Sequence, residues 1–405
     1  MNLKLAWRNT WRNKRRTFIT ATSVFIAIIL ALLMRSLQLG AYQRMIDNVV
    51  SFYTGHIQVH RAGYWDEKTL DNSFVPDTAL TSVFKSEGEI LNWVPRLESF
   101  ALSSANELTK GALIVGVDPA AENKLTHLSH KIVMGKYLEE MDNGVLVAQG
   151  LAENLQLKTG DTLVVLGQGY HGVIAAGKYP LKGIVKFSAP DLNNGMVYMT
   201  LPEAQTLYGT GNRLTSFALS VTPGADASHV AALLKKRVKD LPVEVMDWKE
   251  MMPEMVQIIQ VDNAGGIITI SILYMIIGFG IFGTILMMLA ERRHEFGILV
   301  AVGMKRVLLA RVVLTEILIV CGLGVALGTL AGIPIISYFH AHPIGVSGEL
   351  AKAYERFGLE PVFPFSDDYT IYFAQALIVF SLCVVLSIYP MLRILNLKTI
   401  NALKS

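Results

Sequence analysis

The sequence predicts an α-helical membrane protein with four transmembrane helices and a large α+β extracytoplasmic domain between the first and second. Three observations carry this. Of the 405 residues, 52% are hydrophobic and only 17% charged, against roughly 25% charged in a soluble domain. The apolar excess is gathered into four blocks, each long enough to cross a bilayer. Lys and Arg crowd three of the flanking segments and not the others. A formal charge of +3 is too balanced for nucleic acid as a partner. Both cysteines, Cys321 and Cys383, fall inside apolar blocks, so no disulfide framework is expected.

Residues 1–16 open the chain as a cytoplasmic amphipathic helix. Leu3, Trp7 and Trp11 recur every fourth residue, with Lys4, Arg8, Arg12 and Arg15 as the adjacent stripe, a pattern suited to a membrane surface. The first span is expected over 17–40. Its uncharged block 17–34 ends at Arg35, and Leu39-Gly40-Ala41 is a poor cleavage site, so the block reads as an uncleaved anchor. The second, third and fourth spans are expected over 264–290, 307–337 and 369–392. The fourth alone reaches about 36 Å against a hydrocarbon core of about 30 Å.

Orientation follows from charge. Lys14, Arg15 and Arg16 precede the first span; Arg292, Arg293, Lys305, Arg306 and Arg311 separate the second and third; Arg393, Lys398 and Lys404 follow the fourth. Cytoplasmic loops retain positive charge, so 1–16, the 291–306 segment and the 393–405 tail are expected inside, with both termini cytoplasmic. The 338–368 loop, with Glu349, Glu355, Glu360, Asp367 and Asp368 against Lys352 and Arg356, and the 41–263 segment are expected outside.

Within 41–263, β-rich runs at 56–60, 112–117, 144–148, 162–166, 181–187, 196–201 and 217–221 predict strands. Residues 202–208 and 227–239 have helical spacing. Gly167, Gly169, Tyr170, Gly172 and Gly177 interrupt the strand pattern and predict a projecting hairpin. The match of Gly167, Gly169 and Gly172 to a dinucleotide fingerprint is rejected, because no βαβ unit surrounds it. The P-loop-like run at 172–178 is rejected as well: Tyr179 stands where Ser or Thr must bind magnesium. Gly278, Gly280 and Gly283 also fit the fingerprint, but inside a span, where small residues serve helix packing. His127 with His130, and His340 with His342, lack a completing Cys, Asp or Glu, so no metal or other cofactor is predicted. His294-Glu295 begins a zinc-protease pattern, but Ile298 occupies the second His position. With no defensible catalytic set, the chain is not expected to be an enzyme.

Two features remain. Glu316 is the formal charge of the third block and costs on the order of 3 kcal/mol if bare at mid-membrane; it is expected to face protein and find a partner, from Thr315 or a neighbouring span. Gly324, Gly328 and Gly332 recur every fourth residue, permitting close helix contact. Between the second and third spans, Glu291, Arg292, Glu295, Phe296, Gly297, Leu299, Val300 and Gly303 form a short segment charged at its start and apolar after. Phe296, Leu299, Val300 and Gly303 are expected on one face, as a ridge able to pack under the spans or enter a partner's groove.

That segment, with its E-R-x-x-E-x-G-I-L-x-A-x-G order, resembles the coupling segment of FtsX-like and MacB-type ABC permeases. The resemblance extends to the basic amphipathic start, the first span, Gly116-Val117-Asp118-Pro119, the run from Gly150 to Asp161, the closely spaced C-terminal spans, and Tyr389-Pro390 followed by Arg393. The four-span lipoprotein-releasing permeases match best. The resemblance implies a permease of the bacterial inner membrane, paired with a second permease as homo- or heterodimer and with a dimer of separate ABC ATPase subunits that bind the ATP. It also implies lipoprotein or another amphiphile as cargo, membrane lipids as neighbours, and a periplasmic chaperone hooked by the 167–180 hairpin, here glycine-rich. FtsX-like signal transmission to cell-wall hydrolases and MacB-like export of peptides or small amphiphiles are the alternatives.

Overall fold

A computed structural model describes residues 2–12, 14–356 and 361–396. Glu360, Lys398 and Lys404 lie outside the described residues, as do the side chains of Leu3, Lys4, Arg16, Lys352, Glu355 and Arg356.

The chain starts with helices α1 (Asn2–Arg12) and α2 (Lys14–Val49). Strands β1 (Ile57–Arg61), β2 (Ile90–Ala105) and β3 (Leu108–Val117) follow, then helix α3 (Pro119–Thr126). Next come β4 (Ile132–Gly135), β5 (Val145–Ala148), β6 (Thr162–Gln168), β7 (Ile174–Val185) and β8 (Met196–Thr200). Helix α4 (Leu201–Tyr208), β9 (Ser216–Val221), α5 (Ala227–Arg237) and β10 (Val243–Asp247) complete the inserted segment. The C-terminal part is α6 (Pro253–Glu291), α7 (Arg293–Ala301), α8 (Arg306–Ala341) and α9 (Tyr369–Leu395). Two compact units result: 1–43 with 259–345 and 362–405, and 44–258 with 346–361.

Among the described residues, four helices, lying mainly in the first unit, are long and apolar enough to cross a membrane: Thr17–Asn48, Pro253–Glu291, Arg306–Ala341 and Tyr369–Leu395. α2 has 36 residues, about 54 Å of helix, and so outruns a core of about 30 Å. Beyond its apolar block it is zipped to α6 by polar pairs: Arg35 donates to Asn263 Oδ1 at 3.2 Å and Tyr42 to Asp262 Oδ2 at 2.6 Å. Deeper in, Gly324, Gly328 and Gly332 of α8 face α2. A Cβ on Gly324 would stand 2.7 Å from Val24 Cβ, one on Gly332 2.7 Å from Leu32 Cδ1, and one on Gly328 would collide with Ile28. Val24, Ile28 and Leu32 are themselves four apart, so the ridge of one helix enters the groove of the other.

The second unit is an α+β domain on one mixed sheet, ordered β10-β1-β9-β2-β3-β8-β5-β7-β4, with β6 against β2 and β7. β3 runs parallel to β8, and β5 to β7. Apolar cores lie on it, one around Leu97, Ile114, Val147 and Val165, another around Val115, Leu146, Val185 and Tyr198. The Asp118-Pro119 pair starts α3: Asp118 Oδ1 caps the Ala121 amide at 2.9 Å and Pro119 takes the first turn, where its missing N–H costs nothing. Gly116 lets α4 approach the sheet, for a Cβ there would meet Ala204.

The sequence reading omits β2, β4 and β10. β2 is the longest strand, but it carries Pro95, Arg96 and Glu98 in its middle, which breaks the alternation that marks a strand. These charges are internal. Arg96 is fully buried and donates from Nε and Nη2 to Glu122 Oε2 and Oε1 at 3.0 and 2.8 Å. Its Nη1 donates to the Tyr53 carbonyl, and the Tyr53 hydroxyl to Glu98 Oε2 at 2.7 Å. The end of the segment leaving α2 is thereby pinned to both β2 and α3.

Two predictions follow from burial. Arg96→Met strands the Glu122 carboxylate and is expected to cost about 3–5 kcal/mol, read by pulse proteolysis of the inserted domain in the intact protein. Burial holds His56 and His60 below the usual histidine pKa despite the Asp47 carboxylate near the first and the Arg61 carbonyl and Glu244 near the second. On acidification the unfolded chain takes up these protons first, so stability falls as pH drops through about 6.5. Glu98, its pKa raised by burial, acts in the opposite sense. His60→Gln is therefore the discriminating variant and should flatten the slope between about pH 7 and 5.5.

Candidate coupling site

Helix α7 is short, and its ends are defined by chemistry. Arg292 is its N-cap residue, and Gly303 closes it at φ +107°. The Gly303 amide donates to Val300 O at 3.1 Å and the Met304 amide to Leu299 O at 3.0 Å, the paired bonds of a Schellman motif that needs a residue without Cβ at that position.

The helix is held by a chain of alternating charges. Arg292 Nη1 donates to Glu316 Oε2 of α8 at 2.6 Å and Arg292 Nε to Glu295 Oε2 at 3.1 Å. Glu295 takes both its carboxylate contacts with Arg12 of α1 at 2.7 Å. The Arg292 guanidinium also lies 5.1 Å over the Phe296 ring, a cation–π contact. Thus α1, α7 and α8 meet through four side chains. Thr315 does not serve Glu316: its hydroxyl donates to the Arg311 carbonyl in its own helix. Burial pushes the Glu295 carboxyl up, but the Arg292 hydrogen bond and the Arg292 and Arg12 charges outweigh it and hold the pKa below the usual carboxylate range.

The two ends of the chain differ in strength. Arg292 and Glu316 are buried, where loss of one partner leaves an uncompensated charge. Arg12 and Glu295 are largely exposed, where an ion pair contributes at most about 1 kcal/mol. The inner pair is the anchor; the outer pair tethers α1 weakly.

The ridge expected from sequence is divided. Phe296 is 1% exposed and packs in the core of the spans, with Gly297 buried and Val300 half-buried beside it. Leu299 is 40% exposed, and it is joined on the open surface by Ile298 at 44% and Val302 at 83%, which the sequence reading did not select. A signal for them existed: turning Phe296 toward the spans places positions two and six residues later away from it. Glu291 is exposed at the end of α6.

The hairpin residues belong to β6, β7 and their turn. The turn folds back on its own domain: the His171 amide donates to Asp71 Oδ1 at 3.0 Å, Arg213 lies 4.7 Å over the Tyr170 ring, and a Cβ on Gly169 would stand 2.7 Å from the Tyr208 carbonyl. Gly172 takes φ +81°, and Gly177 leaves room for the Tyr179 ring. Beside it lies an uncovered sheet face. Leu102 pairs across strands with Leu166, and Phe100, Leu102, Leu166 and Ile174 are all exposed.

Residues 267–399 match the FtsX-like permease C-terminal family model, and residues 17–237, more than half of the chain, match the MacB-like periplasmic core domain model. An uncharacterized ABC transporter permease of Methanocaldococcus jannaschii is 22% identical over 182 residues, 43% of this chain and 43% of the relative. The match therefore spans less than half of that relative's length. Among solved structures, the periplasmic region of MacB from Actinobacillus actinomycetemcomitans is 13% identical, covering 53% of this chain and 98% of that one at a TM-score of 0.38. The extracellular domain of the noncanonic ABC-type transporter YknZ from Gram-positive bacteria is 13% identical, covering 47% and 99% at 0.34.

Glu316→Ala is expected to destabilise the purified protein by about 3–5 kcal/mol, and Arg12→Ala by about 1 kcal/mol or less. Thermal unfolding of both variants in the same detergent checks the contrast.

Proposed function

The chain belongs to the FtsX-like, MacB-type family of ABC transporter permeases, and we propose that it is the force-receiving subunit of a transporter whose ATPase is a separate polypeptide. It is a multi-pass membrane protein. The observation that carries the reading is the anchored helix α7. Arg292 ties its start to α8 and Phe296 roots it among the spans, while Ile298, Leu299 and Val302 stand open as a small apolar surface. A helix presenting such side chains suits a groove on a partner, and the rigid anchor lets displacement of α7 reach α8 and, through the glycine contacts, α2. Because α2 continues into the inserted segment, movement received on one side of the membrane is delivered on the other.

The topology that fits has 1–16, 291–306 and 393–405 in the cytoplasm, spans at 17–40, 264–290, 307–337 and 369–392, and 41–263 and 338–368 outside a bacterial inner membrane, by the distribution of Lys and Arg. Two such permeases with two ATPases form the working unit. The cargo is an amphiphile, and lipoprotein release from the outer leaflet is its sharpest form. The uncovered apolar face around Phe100, Leu102, Leu166 and Ile174 supports an apolar cargo, since monomeric domains rarely leave such patches without use. The candidate contact for a periplasmic chaperone is the glycine-rich hairpin, whose turn is bonded to Asp71 and packs against Tyr208.

The test is co-purification of the ATPase with the tagged permease. Ile298→Asp with Val302→Asp is expected to reduce ATPase recovery at least tenfold without lowering the permease's thermal stability. Phe296→Ala should instead destabilise the permease by about 3–5 kcal/mol. Undiminished recovery with the double Asp variant sinks the docking assignment.

A further inference from the structure

We infer that α6 and α9 form a binding site for one anionic glycerophospholipid, with its headgroup beside the start of α7. The site has two parts along these helices, the second bordered also by the start of α7. One is an apolar groove of about 530 Å³ lined by Tyr274, Gly278, Phe279, Phe282, Leu382 and Leu386. The other is a cavity of about 290 Å³ lined by Glu291, Arg293, His294 and Arg393 over a floor that includes Leu289 and Ile394.

Helical spacing joins them. Leu289 follows Phe282 by seven residues, and Arg393 follows Leu386 by seven, two turns along each helix on nearly the same face. That step is about 10 Å, less than the length of an acyl chain. Tyr389 bridges the two parts: its ring meets Phe282 edge-on at 5.3 Å, and the Arg393 guanidinium lies 6.0 Å over it. A tyrosine at this depth suits the boundary between hydrocarbon and headgroup.

Charge selects the occupant. Arg293 and Arg393 are exposed, and neither enters an ion pair among the described residues. Glu291 is the acid in the cavity, so two guanidiniums and an imidazole face one carboxylate. Paired guanidiniums match a phosphodiester, and basic pockets between transmembrane helices on the cytoplasmic side hold anionic headgroups. An acidic protein side chain satisfies the arginines but leaves the groove unused; a neutral lipid fills the groove but leaves the arginines unmatched. An anionic phospholipid satisfies both. Since Arg293 and His294 begin α7, the lipid would also steady that helix; this consequence for force transfer rests on the transport reading, whereas lipid binding itself does not.

Native mass spectrometry of the intact, delipidated protein tests this, titrating phosphatidylglycerol against phosphatidylcholine of the same acyl chains. Wild type is expected to retain phosphatidylglycerol at least tenfold more strongly. Arg293→Gln and Arg393→Gln should each reduce that preference about fivefold, in line with about 1 kcal/mol for each basic residue near an anionic surface, whereas Arg306→Gln, outside the cavity, leaves it unchanged. Gly278→Leu fills the groove, where a Cβ would make ordinary contact with Leu386 Cδ1 at 3.8 Å. It should weaken both lipids alike by threefold or more. Equal retention of the two lipids by wild type, full preference in the double Gln variant, displacement of phosphatidylglycerol by millimolar inorganic phosphate, or its displacement when the ATPase subunit is added would each overturn the assignment.

Discussion

A carboxylate buried among the membrane helices has to be neutralised, and the Arg292–Glu316 contact does so. Its consequences reach through the end of the spans from which α7 starts. Bare, the carboxylate would be a costly uncompensated charge; paired, it holds Arg292 at one place at the elbow between α6 and α7. With Arg292 held, its guanidinium covers the Phe296 ring, and the orientation of α7 follows. The side chains one turn on are then divided between the spans and the open surface. A short helix of nine residues has too little intrinsic stability to choose that orientation itself.

The inserted domain repeats the logic on its own sheet. Arg96 is surrounded by Glu122, Glu98 and the Tyr53 carbonyl, and it ties the segment leaving α2 to the middle of the longest strand. Both anchors are buried arginines with more than one acceptor, which suits a planar donor whose N–H groups form a rigid fork. Within the first unit, the contact of α2 with α8 is made by glycines on one side and Val24, Ile28 and Leu32 on the other. At these positions close approach of apolar side chains and backbone makes the contact firm.

Much of the architecture was legible because the bilayer imposes coarse rules. A span must be apolar over about 20 residues, so the four blocks announce themselves, and Asp118-Pro119, Gly303 and the β6–β7 turn mark helix and hairpin ends through local backbone chemistry. Strands with regular alternation were read in the same way. β2 escaped because Arg96 and Glu98 look like surface residues until their partners from α3 and Tyr53 are known. The end of α2 escaped too, since its polar half, from Arg35 onward, stays helical by pairing with Asp262 and Asn263 of α6, more than two hundred residues away.

From the sequence alone came what depends on near neighbours in the chain: that four apolar helices flank an α+β insertion, where turns and caps fall, and that Glu316 needed a partner and the glycine triplet a close neighbour. The fold alone decided who those partners are. Arg292 rather than Thr315 answers Glu316, α2 meets the glycines, and Phe296 turns in while Ile298 and Val302 turn out. Burial and ion pairing are set by groups far apart along the chain, and their energies exist only once the helices are packed.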